Sequence, residues 1–298
     1  MDLQILTLRF YEYAKTFNGY TKDTIRRYES VLEFFMSQAQ VSELEHVTPE
    51  TVRSFFFLGR TQRGWSSQTF CTYHKTLMAF FKWCVRQGYR IDNPAQSIEP
   101  PKIEKRLPKK LTKQQAFYLL EVTENYPYRL PFARFRNHAM FATFIYAGLR
   151  KQELLNLKFG DVDLENLTLY VRQGKGSKDR MIPIPHALAD ILKRYIAQRQ
   201  RFKRTCPNLF TGLRANIPFG YHGLRLLVRA IRNASGIKFN VHMLRHTFAT
   251  LMLEGGCDIY SLSRMMGHSD IKTTTIYLSA TVEHLRGQIN KHPLNNHN

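Results

Sequence analysis

Cysteine is scarce and unpatterned in this sequence. Cys71, Cys84, Cys206 and Cys257 are scattered and form no Cys-x-x-Cys pair, which argues against a disulfide framework and against a zinc knuckle. Four reduced thiols in a cytoplasmic protein are the expectation. Cys257, close to the motif region described below, reads as a small buried residue. Long apolar runs are missing as well. None approaches the ~18 residues of a spanning helix. The opening MDLQILTLRFYEYAK has an acidic second residue and no signal-peptide layout. No internal repeat or low-complexity tract is present. Acidic residues are the third shortage: 44 Lys and Arg stand against 23 Asp and Glu, a formal net charge of +21. An excess of that size goes beyond solubility and attracts a polyanion, nucleic acid first. A ribosome-like partner is one alternative. An anionic membrane surface is another, but it would need an apolar span or a basic amphipathic anchor, and neither stands out.

Hydrophobic residues make up 43% of the 298 positions, enough for one large domain or two smaller ones. Residues 1–92 read as helical. TKDTIRRYESVLEFFMSQA (21–39) has a capping threonine, Thr21 or Thr24, before apolar residues at helical spacing. TPETVRSFFFLGR (48–60) opens on Thr-Pro with Glu50 in its first turn, and residues 66–89 form a longer helix ending near Gly88. The stripe Phe80, Phe81 and Trp83 reads as core, and His46 and His74 are single and unpartnered. NPAQSIEPPKIEKRLPKKLT (93–112) then breaks the pattern with four prolines and clustered basic residues. The expected organisation is a helical domain at 1–100, a basic linker at 101–110 and a second domain at 111–298. Lys102, Lys105, Arg106, Lys109 and Lys110 in the linker are candidate phosphate-backbone contacts.

The second domain reads as mainly α with a small β-sheet. An apolar helix runs to about Ala147, Gly148 suits its end, and a short helix restarts around Arg150–Leu157. NLTLYVRQ and DRMIPIP are strand-like runs joined by the glycine-rich GKGSK, a hairpin with Lys175 and Lys178 at its tip. Helices follow at 186–204, 220–235, from about 241, at 258–267 and at 269–280.

Two familiar site types fail. His242 and His246 share a helix face at the spacing of a zinc-protease motif, but Met243 stands where the general-base Glu belongs, and Arg245 would sit beside the dication. GKGSK lacks the order of a phosphate loop, and a strand follows it, not a helix. No metal and no cofactor is therefore expected. A third chemistry remains. Cleavage of a phosphodiester builds negative charge on the non-bridging oxygens. Without metals that charge calls for fixed arginines, together with a nucleophile and an acid for the leaving oxygen. Arg150 follows a helix break. Arg245 lies on an otherwise apolar helix, where a charge needs a partner or a task. His268 follows Gly267, and Tyr277 ends the next short helix.

The segments AGLRKQEL (147–154), GKGSK (174–178), HMLRHTFAT (242–250), GH (267–268) and IY (276–277) stand in the order of a known signature. Over nearly its whole length the chain resembles the tyrosine recombinase family of phage-integrase and Xer-like enzymes. The resemblance implies a two-domain, C-shaped DNA clamp. In it Arg150 and Arg245 hold the scissile phosphate, and His242 and His268 hydrogen-bond it and assist proton transfer. Lys175 protonates the leaving 5′-oxygen, with Lys178 as fallback, and Tyr277 attacks to form a 3′-phosphotyrosyl link. Glu153 stands where the family often has a supporting carboxylate, and His246 would brace the helix. Neither ATP nor Mg²⁺ is implied. The implied partner is double-stranded DNA with an inverted-repeat core site. A helix at 279–298, with Val282, Leu285 and Ile289 at 3–4 spacing, would dock on a neighbouring subunit of a homotetramer around two DNA sites. No arm-binding domain is expected before the clamp, and a paralogue partner stays open. The expected location is cytoplasmic and nucleoid-associated, without a membrane. The rivals are a type IB topoisomerase-like enzyme, a DNA-binding protein with a decayed site, and a metalloprotease built on His242 and His246.

Overall fold

The structure, a computed structural model, describes residues 1–104, 107–172, 179–268 and 270–277. The chain divides into two units, Met1–Lys105 and Arg106–Asn298. Both are mainly helical, and the second carries a small antiparallel sheet.

Among the described residues the first unit has four α-helices, α1 (Leu3–Thr16), α2 (Lys22–Ala39), α3 (Pro49–Thr61) and α4 (Ser67–Arg86), with a 3-10 turn at Leu44–His46. Each starts where a short polar side chain takes an orphan backbone N–H: Asp2, Thr21, Thr48 and Ser66 accept from residues two or three positions on. The core is aromatic. Phe10 packs edge-on to Phe80 at 5.5 Å, and Phe35 edge-on to Phe55 at 5.1 Å. Phe80, Phe81 and Trp83 are buried as expected. His74 is part-buried and His46 exposed.

The second unit is built around α6 (Pro131–Ala147), which is buried on nearly every side and so shows no amphipathic stripe. Packed against it are α5 (Lys113–Asn125), α8 (His186–Arg201) and α10 (Val241–Glu254); α9 (Tyr221–Ser235) lies on α5. The three-stranded sheet is ordered β1 (Val162–Asp163), β2 (Thr168–Val171), β3 (Arg180–Pro183). Leu169 pairs with Ile182 and Val171 with Arg180, and Leu169, Val171 and Ile182 are buried. Arg180 therefore lies on the core-facing side of its strand. The two-residue β1 has no counterpart in the sequence pattern.

Three short helices complete the described part: α7 (Lys151–Asn156), α11 (Ile259–Met266) and α12 (Lys272–Thr275). The helix expected at 269–280 is thus four residues long where described. Three of those four are threonine, whose β-branched side chain disfavours helix. Cys257 is partly exposed, not buried, because it sits in the turn before α11. All four cysteines are free thiols. Among the described residues no helix is long and apolar enough to cross a membrane.

Candidate active site

Helix ends make the site. α6 stops at Gly148, whose left-handed φ of 61° ends the helix, and a Cβ there would lie 2.2 Å from the Phe248 ring. Two residues on, Arg150 precedes α7. Its backbone N–H donates to Glu153 Oε2 at 2.7 Å and its guanidinium to Glu153 Oε1 at 2.8 Å. Glu153 is the hub. Arg180 grips it with two bonds, 2.9 and 2.8 Å, and Arg245 Nη1 lies 3.9 Å from Oε2. Burial alone would raise the Glu153 carboxyl; hydrogen bonds and charge from Arg180, joined by the backbone and guanidinium of Arg150, overcome it and hold the group at about 2.

The same three arginines take the last carbonyls of α11, which carry the negative end of the helix dipole and have no partner within the helix. Arg180 Nε donates to Met265 O at 2.7 Å, Arg245 Nη2 to Met266 O at 2.6 Å and Arg150 Nη2 to Gly267 O at 2.9 Å. Arg245 also donates to Gly148 O at 2.7 Å, so it ties the ends of α6 and α11 together. Its side chain is buried, and that burial, with the repulsion of Arg150, lowers it to about 10, still a cation at neutral pH.

His268 follows α11. Its Nε2 lies 3.2 Å from Arg245 Nη2 and its Nδ1 lies 2.8 Å from Thr274 Oγ1. A guanidinium only donates, so Nε2 accepts and the proton sits on Nδ1, pointing at Thr274. Burial, then Arg245, Arg150 and Arg180, push this imidazole down to about 4, so it is neutral at pH 7. The backbone O of Thr274 accepts from Tyr277 N–H at 3.0 Å. Thr274, fully buried, thus links the histidine to the tyrosine segment. The Tyr277 ring is buried among Phe248, Ala249, Leu253, Leu262 and Met266. Its hydroxyl meets His246 Nδ1 at 2.7 Å. Burial raises the phenol pKa against the pull of Arg245 and Arg150. His242 and His246 sit ring to ring at 4.2 Å, edge to face. His242 is the exposed member; desolvation and then Arg245 and Arg150 lower its pKa.

The structure therefore brings Arg150, Glu153, His242, Arg245, His246, His268 and Tyr277 into one neighbourhood. A family model described as "Phage integrase family" matches residues 109–284. The chain is 34% identical over 276 residues to the tyrosine recombinase XerA of Pyrococcus horikoshii, covering 92% of this chain and 88% of that one. It is 33% identical over 305 residues to the tyrosine recombinase XerC of Thermodesulfovibrio yellowstonii, covering 98% of each. In fold it resembles the XerH site-specific recombinase in its post-cleavage complex with palindromic difH substrate. That match has a TM-score of 0.75 and 22% identity and covers 96% of this chain and 83% of that one. The chain belongs to the tyrosine recombinase family. It is a site-specific recombinase, an enzyme of DNA strand breakage and rejoining.

Several residues of this recombinase site escape a motif reading. Arg180 is one: it alternates in phase with the buried Ile182 and Ile184, and a cation on a buried strand face signals a carboxylate partner. Thr274 is another, with no sequence signal beyond its position between His268 and Tyr277. The third group is a face of α9. Arg225, Arg229 and Arg232 recur at helical spacing. With Lys151, Tyr221 and Asn240 they line a groove of about 840 Å³ that also takes in Arg150, His242 and Arg245. Lys151 Nζ stands 4.0 Å over the Tyr221 ring. Lys175, Lys178, Lys105 and Arg106 lie outside the described residues. Lys102 and Lys109 are exposed, while Lys110 is ion-paired with Glu254 at 2.7 Å. Among the described residues no group of three or more His, Cys, Asp or Glu is placed to hold a metal.

Proposed function

We propose that the recombinase cleaves and rejoins double-stranded DNA through a 3′-phosphotyrosyl link on Tyr277, exchanges strands through a Holliday junction, and needs neither metal nor ATP. The observation that carries this reading is the arginine cluster. Three guanidinium groups around one carboxylate leave a surplus of two positive charges beside neutral histidines, and a phosphorane transition state gains the negative charge they complement. Arg150 and Arg245 hold the scissile phosphate in donors already fixed by backbone carbonyls, so little reorganisation is left at the moment of reaction. His242 and His268 hydrogen-bond the phosphate oxygens. Lys175 protonates the leaving 5′-oxygen, with Lys178 behind it. What supports this is that Arg180, at the start of β3 and two residues after Lys178 in the chain, is tied to Glu153. The phosphotyrosyl ester conserves the energy of the broken bond, so religation requires no nucleotide.

The partner is a duplex core site of inverted repeats. Its backbone follows the arginine face of α9, and the linker lysines and the first unit, as the core-binding domain, contact it too. The 279–298 helix, outside the described residues, seats on a neighbouring copy in the homotetramer. An apolar groove of about 650 Å³ lined by Phe117, Leu120, Ile145, Tyr146, Phe248 and Met252 suits such a helix. The enzyme works in the cytoplasm on nucleoid DNA, alone or with a paralogue.

The test is covalent trapping on nicked duplexes selected from a random library, with EDTA present. The wild type should leave a phosphotyrosyl peptide at residue 277, and Tyr277→Phe should bind the same duplex without an adduct. An adduct on another residue, or in the Phe variant, refutes the nucleophile. Loss of activity in EDTA refutes the metal-free step. Relaxation of supercoils without exchange between two labelled sites would point to a topoisomerase.

A further inference from the structure

We infer that His246 is the catalytic base that takes the phenolic proton of Tyr277 during strand cleavage. The inference rests on Tyr277 being the nucleophile. His246 Nδ1 is 2.7 Å from the Tyr277 hydroxyl, hydrogen-bond distance to the atom that must lose a proton. The neighbouring histidines are less suited. His268 is committed at both nitrogens, Nε2 to Arg245 and Nδ1 to Thr274. His242 is on the exposed side of the His246 ring, one helical turn earlier.

The resting charge state agrees with an accepting role. Burial, then His242 and Arg245, lower His246 to about 4, so it is a neutral imidazole at pH 7 with a lone pair to offer. The phenol is raised by burial and does not ionise unaided. Among the described residues the groups facing His246 are His242, Arg245 and Tyr277, and none of them is an anion that would steady an imidazolium before DNA binds. A phosphate held by Arg150 and Arg245 supplies that anion and raises the basicity of His246 at the point of attack. Transfer is thus coupled to substrate.

The step balances. The Tyr277 Oη–P bond forms as the P–O5′ bond breaks; the phenolic proton passes to His246 Nδ1, and the leaving oxygen is protonated by the proposed acid Lys175. In religation the imidazolium returns its proton to Tyr277 as the phosphotyrosyl ester breaks.

The test uses the full chain and a nicked duplex on which the wild type has been shown to form its adduct at Tyr277. An adduct mapped elsewhere fails the nucleophile reading before His246 is in question. His246→Ala and His246→Gln are assayed for duplex binding and single-turnover cleavage. Binding should match the wild type, and cleavage should fall by about a hundredfold or more, as loss of a general base does. Imidazole added to His246→Ala should restore cleavage in proportion to its free-base fraction. A fluorinated tyrosine at 277, with a more acidic phenol, should speed the variant more than the wild type. Cleavage by both variants within about threefold of the wild type overturns the proposal. So does a slow variant that neither imidazole nor fluorotyrosine rescues, which would leave His246 a brace.

Discussion

Glu153→Gln tests whether the arginine cluster depends on one buried anion. Glu153 is 8% exposed and receives bonds from Arg150 N–H, Arg150 Nη1 and both terminal nitrogens of Arg180, with Arg245 at 3.9 Å. Glutamine keeps the shape and one carbonyl acceptor but removes the charge, leaving three guanidinium groups facing an amide that must turn an NH₂ toward one of them. The carboxyl is held at about 2 against 4.5 for an unperturbed glutamate. At 1.36 kcal/mol per unit that gap corresponds to roughly 3 kcal/mol of charge-dependent stabilisation. Breaking a buried ion pair by removing one partner costs about the same, roughly 3–5 kcal/mol. The loss should appear in the second unit alone. Both tryptophans, Trp65 and Trp83, lie in the first unit, so tryptophan fluorescence would miss it. Hydrogen exchange of the α6 and α10 amides reports the right unit. Protection there should fall by about 3 kcal/mol while the amides of α4 stay unchanged. A loss below about 1 kcal/mol, typical of a surface pair, would refute the argument that these arginines share an indispensable anion.

Three further outcomes are expected. Lys175→Ala should slow cleavage about a hundredfold or more, and a 5′-bridging phosphorothioate, whose leaving group needs no proton, should restore the rate; absence of rescue moves the acid to Lys178 or His242. Arg225→Ala and Arg229→Ala should weaken duplex binding similarly for all sequences, each lowering the slope of log K against log salt by about one; an unchanged slope removes α9 from the DNA path. His246 and His268 are both lowered to about 4 in the folded state from an ordinary value of 6.5. The unfolded chain therefore binds more protons between those values. Stability of the second unit should be full above about pH 6.5 and fall progressively toward pH 4, which denaturation monitored by exchange at pH 7 and pH 5 would detect; equal stability at both would refute the neutral-histidine assignment.

What could be read from the sequence was what is encoded locally. Thr21, Thr48, Ser66 and Thr112 cap helices through bonds to residues three positions away, so their signal lies within a few letters of chain. Gly148 is legible for the same reason, because a helix end needs a left-handed residue there. The α1 helix was not separable within the helical stretch, and β1, two residues long, is defined only by its pairing with β2. The site divides along the same line. Arg150, Arg245, His268 and Tyr277 announce themselves by order and spacing, but their electrostatics do not. The carbonyls of Met265, Met266 and Gly267 belong to three consecutive residues, while the arginines that bind them come from positions 180, 245 and 150. Each pairing crosses an element boundary, and the acceptors are backbone atoms that any residue would supply. No residue type could mark them. The one visible trace is charge in the wrong place, Arg180 in phase with Ile182 and Arg245 among apolar neighbours. A buried cation implies an anion or a helix end, and here both requirements converge on Glu153 and the C-terminus of α11. The tyrosine segment begins within four residues of that helix end, and His268 bonds both Arg245 and Thr274, so hydrogen bonds run unbroken from the arginines to the backbone of Tyr277.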